Sequence, residues 1–272
     1  MVPGISTACL YPELTEKALK QLAKRGVSAT EIFFNAPSEL EEPYIRELAR
    51  IARDGGIRIV SIHPFTSGFE PLLLFSSYRR RTLDGFECYK RYFHAANLLG
   101  ADYIIIHGDH REHNRSRTFY FHVFGELMEI ARQMGVMVIQ ENVCRCCGYT
   151  PDFFLEMAAC LPEARFVLDI KQCIRANVPI PDMVRAMGSR ICHVHISDHN
   201  DMQDCLPIGK GNYDLTGFLR DLRENFGFDG AAIQELYRNN YGDIGELLEG
   251  YHTLAQCIRH AEKGWKEFSQ GE

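Results

Sequence analysis

The sequence predicts one domain over residues 1–272, an α/β chain folded as a single-domain (β/α)8 TIM barrel. Three observations carry this. Eight short apolar runs alternate with helical runs from end to end, the helical runs repeatedly close on glycine, and no linker or low-complexity tract divides the chain. A barrel of this kind takes about 250 residues, and the chain has 272.

The first run, ISTACLY (5–11), is expected as a strand and precedes the helical LTEKALKQLAKRG (14–26). ATEIFF (29–34) leads to YIRELARIARDGG (44–56), and RIVSIHPF (58–65) to a long helical stretch over 78–100. DYIIIHGD (102–109) precedes FHVFGELMEIARQMG (121–135), and VMVIQENV (136–143) precedes DFFLEMAACL (152–161). ARFVLDIKQ (164–172) pairs with IPDMVRAM (180–187), and ICHVHISD (191–198) with LTGFLRDLRENFG (215–227). The last unit is GAAIQELY (230–237) with IGELLEGYHTLAQCIRHAEKG (244–264). Strand runs that are continuously apolar, not alternating, argue for a parallel sheet covered on both faces. A doubly wound open sheet competes, but no Gly-rich dinucleotide fingerprint follows the first strand. Gly26, Gly55, Gly100, Gly135 and Gly227 read as left-handed helix caps. Pro151 with Asp152, Pro181 with Asp182, and Asp214 mark helix starts.

Composition narrows the class. A hydrophobic fraction of 46% with 24% charged residues suits a globular chain with a large core. The balance of 30 basic to 36 acidic residues, a formal charge of −6, gives no general pull toward nucleic acid or anionic membrane. The ten cysteines do not form a disulfide framework pattern, and MVPGISTACLYPEL lacks the make-up of a secretory signal. Cys9, Cys160, Cys173, Cys192 and Cys257 lie in apolar stretches where a thiol packs as a small hydrophobe. The expected compartment is therefore the reducing cytoplasm. No apolar run approaches the roughly 18 residues of a membrane span.

Chemistry is concentrated at the strand ends. His63, His107, Glu141, Asp169, His195 and Glu235 close the third to eighth strand runs, the places where barrel enzymes gather catalytic groups. Any one of them could cap a helix or pair with a neighbour, but packing gives no reason for six in succession. Three converging carboxylates without a cation would repel one another and raise their own pKa values. A divalent ion removes that difficulty, and an oxygen-rich set with one imidazole suits Mn2+, Mg2+ or Co2+ over a thiolate-held zinc. Such an ion polarises a carbonyl and its neighbouring hydroxyl. Glu141 and Glu235, on the fifth and eighth strands, could then flank the substrate as an acid/base pair acting through an enediolate.

This order of strand-end groups resembles the xylose isomerase-like barrel superfamily, which includes sugar epimerases, hydroxypyruvate isomerases, inosose dehydratases and the endonuclease IV family. The matching motifs are IHPF, IIIHGD, the Glu-Asn of QENVCR, the Leu-Asp of VLDIKQ, HVHISD and LPIGKGNYD. The resemblance implies that Glu141, Asp169, His195 and Glu235 hold one divalent metal ion, Mn2+ by preference with Mg2+, Co2+ or Zn2+ as alternatives. It implies that Glu141 and Glu235 also move protons. The implied activity is metal-dependent isomerisation or epimerisation of a sugar, sugar phosphate or related keto-polyol. The partner is then a small carbohydrate, with no membrane or nucleic acid and with a homo-oligomer as an option. The alternatives are an inosose dehydratase-like lyase and, further off, an endonuclease IV-like phosphodiesterase or a non-catalytic sugar-binding barrel.

Departures from the pattern sharpen it. Gln172, Gln203 and Cys205 stand where endonuclease IV-like members place third-metal ligands, which argues against a trinuclear phosphodiesterase. Gln172 also replaces a histidine that many sugar epimerases use to hold a substrate hydroxyl, and no arginine follows His195 at the tagatose-type spacing. His63 and His107 resemble the histidines that complete another metal bridged by the glutamate. The preferred reading has them, with Gln172 and Arg145, contact substrate or support the site. His193 reads as a core or supporting histidine. Arg79, Arg111, Arg115 and Arg117 could hold a phosphate, but charge runs at helix starts are usually solvated faces, which is the preferred reading. Cys144, Cys146 and Cys147 lack zinc-knuckle spacing, and Lys210 in IGKG is a weak signal. Specificity is expected from Phe65, Phe69, Phe75, Asn142, Arg145 and Tyr237.

Overall fold

The computed structural model describes residues 1–268. Its strands are β1 (Val2–Ser6), β2 (Ala29–Phe33), β3 (Arg58–His63), β4 (Tyr103–Ile106), β5 (Met137–Glu141), β6 (Phe166–Asp169), β7 (Ile191–Ile196) and β8 (Ala231–Gln234). All neighbours pair in parallel, and β1 closes on both β2 and β8, giving a closed barrel in sequence order. The helices are α1 (Thr15–Lys24), α2 (Glu42–Asp54), α3 (Glu70–Leu73), α4 (Arg79–Leu99) and α5 (Arg117–Gln133). They continue as α6 (Pro151–Cys160), α7 (Ile170–Arg175), α8 (Ile180–Met187), α9 (Leu215–Phe226) and α10 (Ile244–Phe268). None of the described helices is long and apolar enough to cross a membrane.

Helical periodicity decides which face each helix buries. In α1 the buried residues are Thr15, Ala18, Leu19 and Leu22, and in α9 Leu215, Phe218, Leu219 and Leu222. Both sets are one 3.6-residue stripe laid on the sheet. The main core is this layer between helices and barrel, with Phe34, Phe93, Phe124, Phe154 and Phe166 fully buried. Inside the barrel, strand alternation points Ala29, Ala231 and Ile233 inward on one side and Ile105, Ile139 and Val167 on the other. Two residues further along those strands the inward positions become Glu31, His107, Glu141, Asp169 and Glu235. The barrel is thus apolar at its floor and charged at its C-terminal mouth.

Three expectations are corrected. The first strand ends at Ser6, and Thr7–Leu10 is a 3-10 turn begun by the Ser6 hydroxyl accepting from Ala8 N. The strand starts earlier, at Val2, through a Pro-Gly pair that reads as a breaker. Gly4 is required there because a Cβ would lie 2.6 Å from Ala29 O and press on the Ile233 side chain. Gly26, Gly100, Gly135 and Gly227 do take positive φ, but Gly55 stays right-handed and passes that turn to Gly56, at φ 65°. Cys160, the last residue of α6, is exposed, because it falls off that helix's buried face of Phe153, Phe154 and Met157. After β7 the Asp198 carboxylate accepts the amides of His199, Gly209, Gly211 and Tyr213 at 2.8–3.2 Å and folds the loop into a fixed turn.

Candidate metal centre and active site

Every strand-end side chain singled out by the sequence faces the mouth of the barrel. Asp169 does cap the next helix: its Oδ1 accepts from Gln172 N at 3.0 Å, the N-cap bond of α7. That leaves Oδ2 turned to the centre. His195 Nδ1 lies 3.2 Å from Glu141 Oε1, 3.5 Å from Glu235 Oε2 and 3.8 Å from Asp169 Oδ2. One ligand atom from each of the four residues lies within 4.8 Å of the others. Three carboxylate oxygens around one imidazole nitrogen make a donor set that suits a divalent cation.

A second triad adjoins the first through Glu141. His107 Nε2 is 2.9 Å from Glu141 Oε2 and 2.8 Å from His63 Nε2, which is itself 3.8 Å from Glu141 Oε2. His63 Nδ1 contacts Pro64 O at 3.2 Å, and His107 Nδ1 contacts the Arg145 guanidinium at 3.3 Å. This pattern assigns the proton to Nδ1 of His63 and to Nε2 of His107, whose N–H then points at His63. Glu141 Oε2 is left buried without an aligned donor. A buried carboxylate oxygen in that condition suits a cation, so the residues present fit a divalent ion.

Two residues of the candidate site were missed in the sequence. Glu31, in β2, is fully buried beneath His195. Its carboxylate accepts from Ser61 Oγ at 2.8 Å and Ser6 Oγ at 3.2 Å, and its Oε2 lies 3.2 Å from His195 Nε2 and 3.5 Å from His193 Nε2. With Nε2 taken by Glu31, His195 presents Nδ1 to the carboxylates, the arrangement by which a buried carboxylate orients a metal-binding imidazole. Lys171, in the first turn of α7, is also buried, its Nζ 2.5 Å from Asp169 Oδ2 and 2.7 Å from Glu235 Oε2. The available signals were positional: a carboxylate at an inward position of an apolar strand, and a cation at a helix N-terminus, where the dipole disfavours it.

Electrostatics follow from these neighbours. Burial pushes Glu141 up, but the imidazoles of His107 and His195 outweigh it and hold the carboxyl well below the usual range. Burial likewise opposes ionisation of Glu235, and Lys171 and His195 bring it below the ordinary value. His195 is driven well above the ordinary histidine value because Glu235, Glu31 and Glu141 overcome its burial. Burial lowers His193, whose two ring nitrogens have no partner within hydrogen-bond geometry, in keeping with a neutral supporting side chain.

A cavity of about 360 Å³ opens over the centre, lined by Phe33, His63, His107, Glu141, Arg145, Lys171, Gln172, Glu235 and Tyr237 among others. Glu141 and Glu235 reach it, whereas Asp169 and His195 lie beneath. Gln172 lines the wall with its amide oxygen accepting from Cys144 N at 3.1 Å. Arg145 is exposed at the rim and no carboxylate pairs with it among the described residues. Several expected specificity residues lie elsewhere. Phe75 is buried and stacks on Tyr120, Phe69 lines a separate groove, and Asn142 ties β5 to β6 through Asp169 N and O. The arginines weighed as a phosphate site and read by preference as a charged face have partners of their own: Arg79 pairs with Glu126, Arg115 with Asp109 and Arg117 with Glu156, and Arg111 lies over the Tyr149 ring. Lys210 is half-exposed, 3.7 Å from Glu249. Cys144, Cys146 and Cys147 are free thiols in a partly buried loop.

Comparison with known proteins gives three findings. The chain matches the family model described as xylose isomerase-like TIM barrel over residues 19–266. An uncharacterized protein of Mycobacterium leprae is 25% identical over 259 residues, covering 86% of this chain and 88% of that one. Among solved structures, a D-tagatose 3-epimerase-like protein superposes with a TM-score of 0.81 at 22% identity, covering 97% of this chain and 99% of the other. The probable 3-DHS dehydratase AsbF of Bacillus anthracis superposes at 0.72 with 14% identity, covering 94% and 99%. At these identities the likeness to both structures speaks for the fold.

Proposed function

The chain belongs to the xylose isomerase-like TIM barrel family, and from that premise we propose a divalent-metal-dependent isomerase or epimerase of a small keto sugar or related keto-polyol. The observation that carries the proposal is the division of the four donors. Glu141 and Glu235 reach the cavity from β5 and from the end of β8, while Asp169 and His195 form the floor between them. A divalent ion, Mn2+ by preference, held by Glu141, Asp169, His195 and Glu235 would polarise the substrate carbonyl and its neighbouring hydroxyl and so acidify the intervening C–H. Both glutamates lie below the ordinary glutamate value as carboxylates, the form competent to accept a proton. Glu235 is the more open of the two, with 16% of its side chain exposed against 2% for Glu141. Glu235 is accordingly the group that removes the substrate proton and keeps it, while Glu141, on the opposite face, would deliver a different proton that it first takes from water or a substrate hydroxyl.

His63 and His107 support the site in this reading, since their assigned tautomers satisfy one another, Pro64 O and Arg145 and leave no ring nitrogen free for substrate. A second ion bridged by Glu141 is the alternative that their geometry also accommodates, and a count of bound metal per chain separates the two. The likeness of fold to both an epimerase-like protein and a dehydratase makes the lyase the nearest rival, because an enediolate can also expel a β-hydroxyl. The test is a panel of ketoses in heavy water with Mn2+ supplied. Wild type should wash deuterium into the carbon next to the carbonyl, and Glu235→Gln should abolish the exchange with its fold intact. Exchange retained in that variant defeats the assignment, and loss of water from the product decides for the lyase.

A further inference from the structure

Lys171 is a buried ammonium inside a centre that suits a divalent ion, and its position conflicts with local rules. It is 3% exposed, whereas lysine is seldom buried without a partner. It lies two residues after the N-cap Asp169, in the helix turn where the dipole favours anions. Its partners explain it. Nζ binds Asp169 Oδ2 and Glu235 Oε2, the same two oxygens that face His195 Nδ1 and would hold the ion.

We propose that Lys171 is a chain-borne competitor for the divalent ion, sharing Asp169 Oδ2 and Glu235 Oε2 with it and thereby setting the metal affinity of the centre. Two cations on one pair of oxygens repel strongly at this range in a water-poor pocket. Binding of the ion therefore expels the ammonium, or weakens as long as the ammonium stays. A retreat is available on the cavity side, since Lys171 lines the cavity beside Tyr237, whose ring Nζ approaches at 5.8 Å and Arg175 already holds at 5.0 Å. Without the ion, Lys171 keeps Asp169 and Glu235 paired, so the centre stays assembled. With it, the ammonium is delivered toward the substrate side of the cavity, beside Glu235.

The proposal rests on the metal centre described under Proposed function, and its test uses no substrate. Chelator-stripped protein is titrated with Mn2+ by calorimetry as wild type, Lys171→Met, Lys171→Gln and Lys171→Arg. The neutral variants should bind Mn2+ at least tenfold tighter than wild type, and Lys171→Arg should stay below a tenfold gain. A gain under tenfold or a weakening in the neutral variants overturns the proposal, as does a tenfold gain in Lys171→Arg. Should the neutral variants fail to fold, the wild type alone suffices: acetic anhydride labelling of Lys171, read by mass spectrometry, should rise when Mn2+ saturates the centre. Labelling that falls or stays level overturns it. Absence of Mn2+ binding in wild type and variants alike removes the metal centre itself, an outcome distinct from equal binding by all of them.

Discussion

Replacing Glu31 by glutamine separates support of the proposed metal centre from support of the fold. Glu31 Oε2 accepts from Ser61 and His195, and Oε1 accepts from Ser6. A glutamine with its oxygen at the Oε2 position keeps the first two bonds, and its amide N–H can donate to the Ser6 hydroxyl, so shape and bond count survive. What is lost is charge. Hydrogen bonds to a charged group contribute about 1.5–3 kcal/mol and neutral ones about 0.5–1.5, so Glu31→Gln, which turns three charged bonds into neutral ones, should cost about 3–4 kcal/mol in urea unfolding. The larger effect is on His195, since removing the carboxylate behind a metal-binding imidazole weakens metal affinity about 10–100-fold. Glu31→Ala gives the upper limit. Three buried donors left unsatisfied at about 1–3 kcal/mol each approach the whole stability of an ordinary domain, about 5–15 kcal/mol. The assay is Mn2+ calorimetry beside urea denaturation on the same preparations. If Glu31→Gln is destabilised yet binds Mn2+ as wild type does, the residue only fills the barrel and the reasoning about His195 fails.

Two further outcomes follow from the interior. Burial pushes the Glu70 carboxyl up to about 8, against the lowering effect of its bonds from Gly108 N and Tyr89 Oη. An acid raised in the folded state holds its proton more tightly than the unfolded chain does, so its contribution is complete below the unfolded value and is lost as pH climbs through the folded one. Wild-type stability should therefore contain a component that declines between about pH 5 and 8, and Glu70→Gln should remove it; equal pH slopes in urea midpoints would reject this. Gly4→Ala places a methyl group 2.6 Å from Ala29 O at the barrel floor and should destabilise by about 1–3 kcal/mol or more. An unchanged melting midpoint would show that β1 has room to move there.

The barrel was legible because its signals are local. Continuous apolar runs, glycine at helix ends and one polar group per strand end are read within ten or so residues, and they placed Glu141, Asp169, His195 and Glu235 together at the mouth. The misreadings share a different cause. The start of β1 was misplaced because the need for Gly4 comes from Ala29 and Ile233, which are distant in sequence. Glu31 was absorbed into ATEIFF because its partner His195 lies 164 residues away. Nothing local marks Lys171, because half of its pairing, to Glu235, spans 64 residues. Loop side chains such as Phe75 were unreadable for a further reason: whether a ring turns to the cavity or to Tyr120 depends on how the loop closes, not on its composition.

The turn gathered by Asp198 bears on how this scaffold could change its diet. Four amides from residues 199 to 213 converge on one carboxylate, and a Cβ on Gly211 would collide with that carboxylate and with His199 O. Insertions or substitutions in this stretch would break several bonds at once, so the loop beyond β7 is held rigidly by its own backbone. Retooling for another ligand would be cheaper on the rim that carries Tyr11, Arg145 and Tyr237, where side chains can be exchanged without dismantling the backbone that holds them.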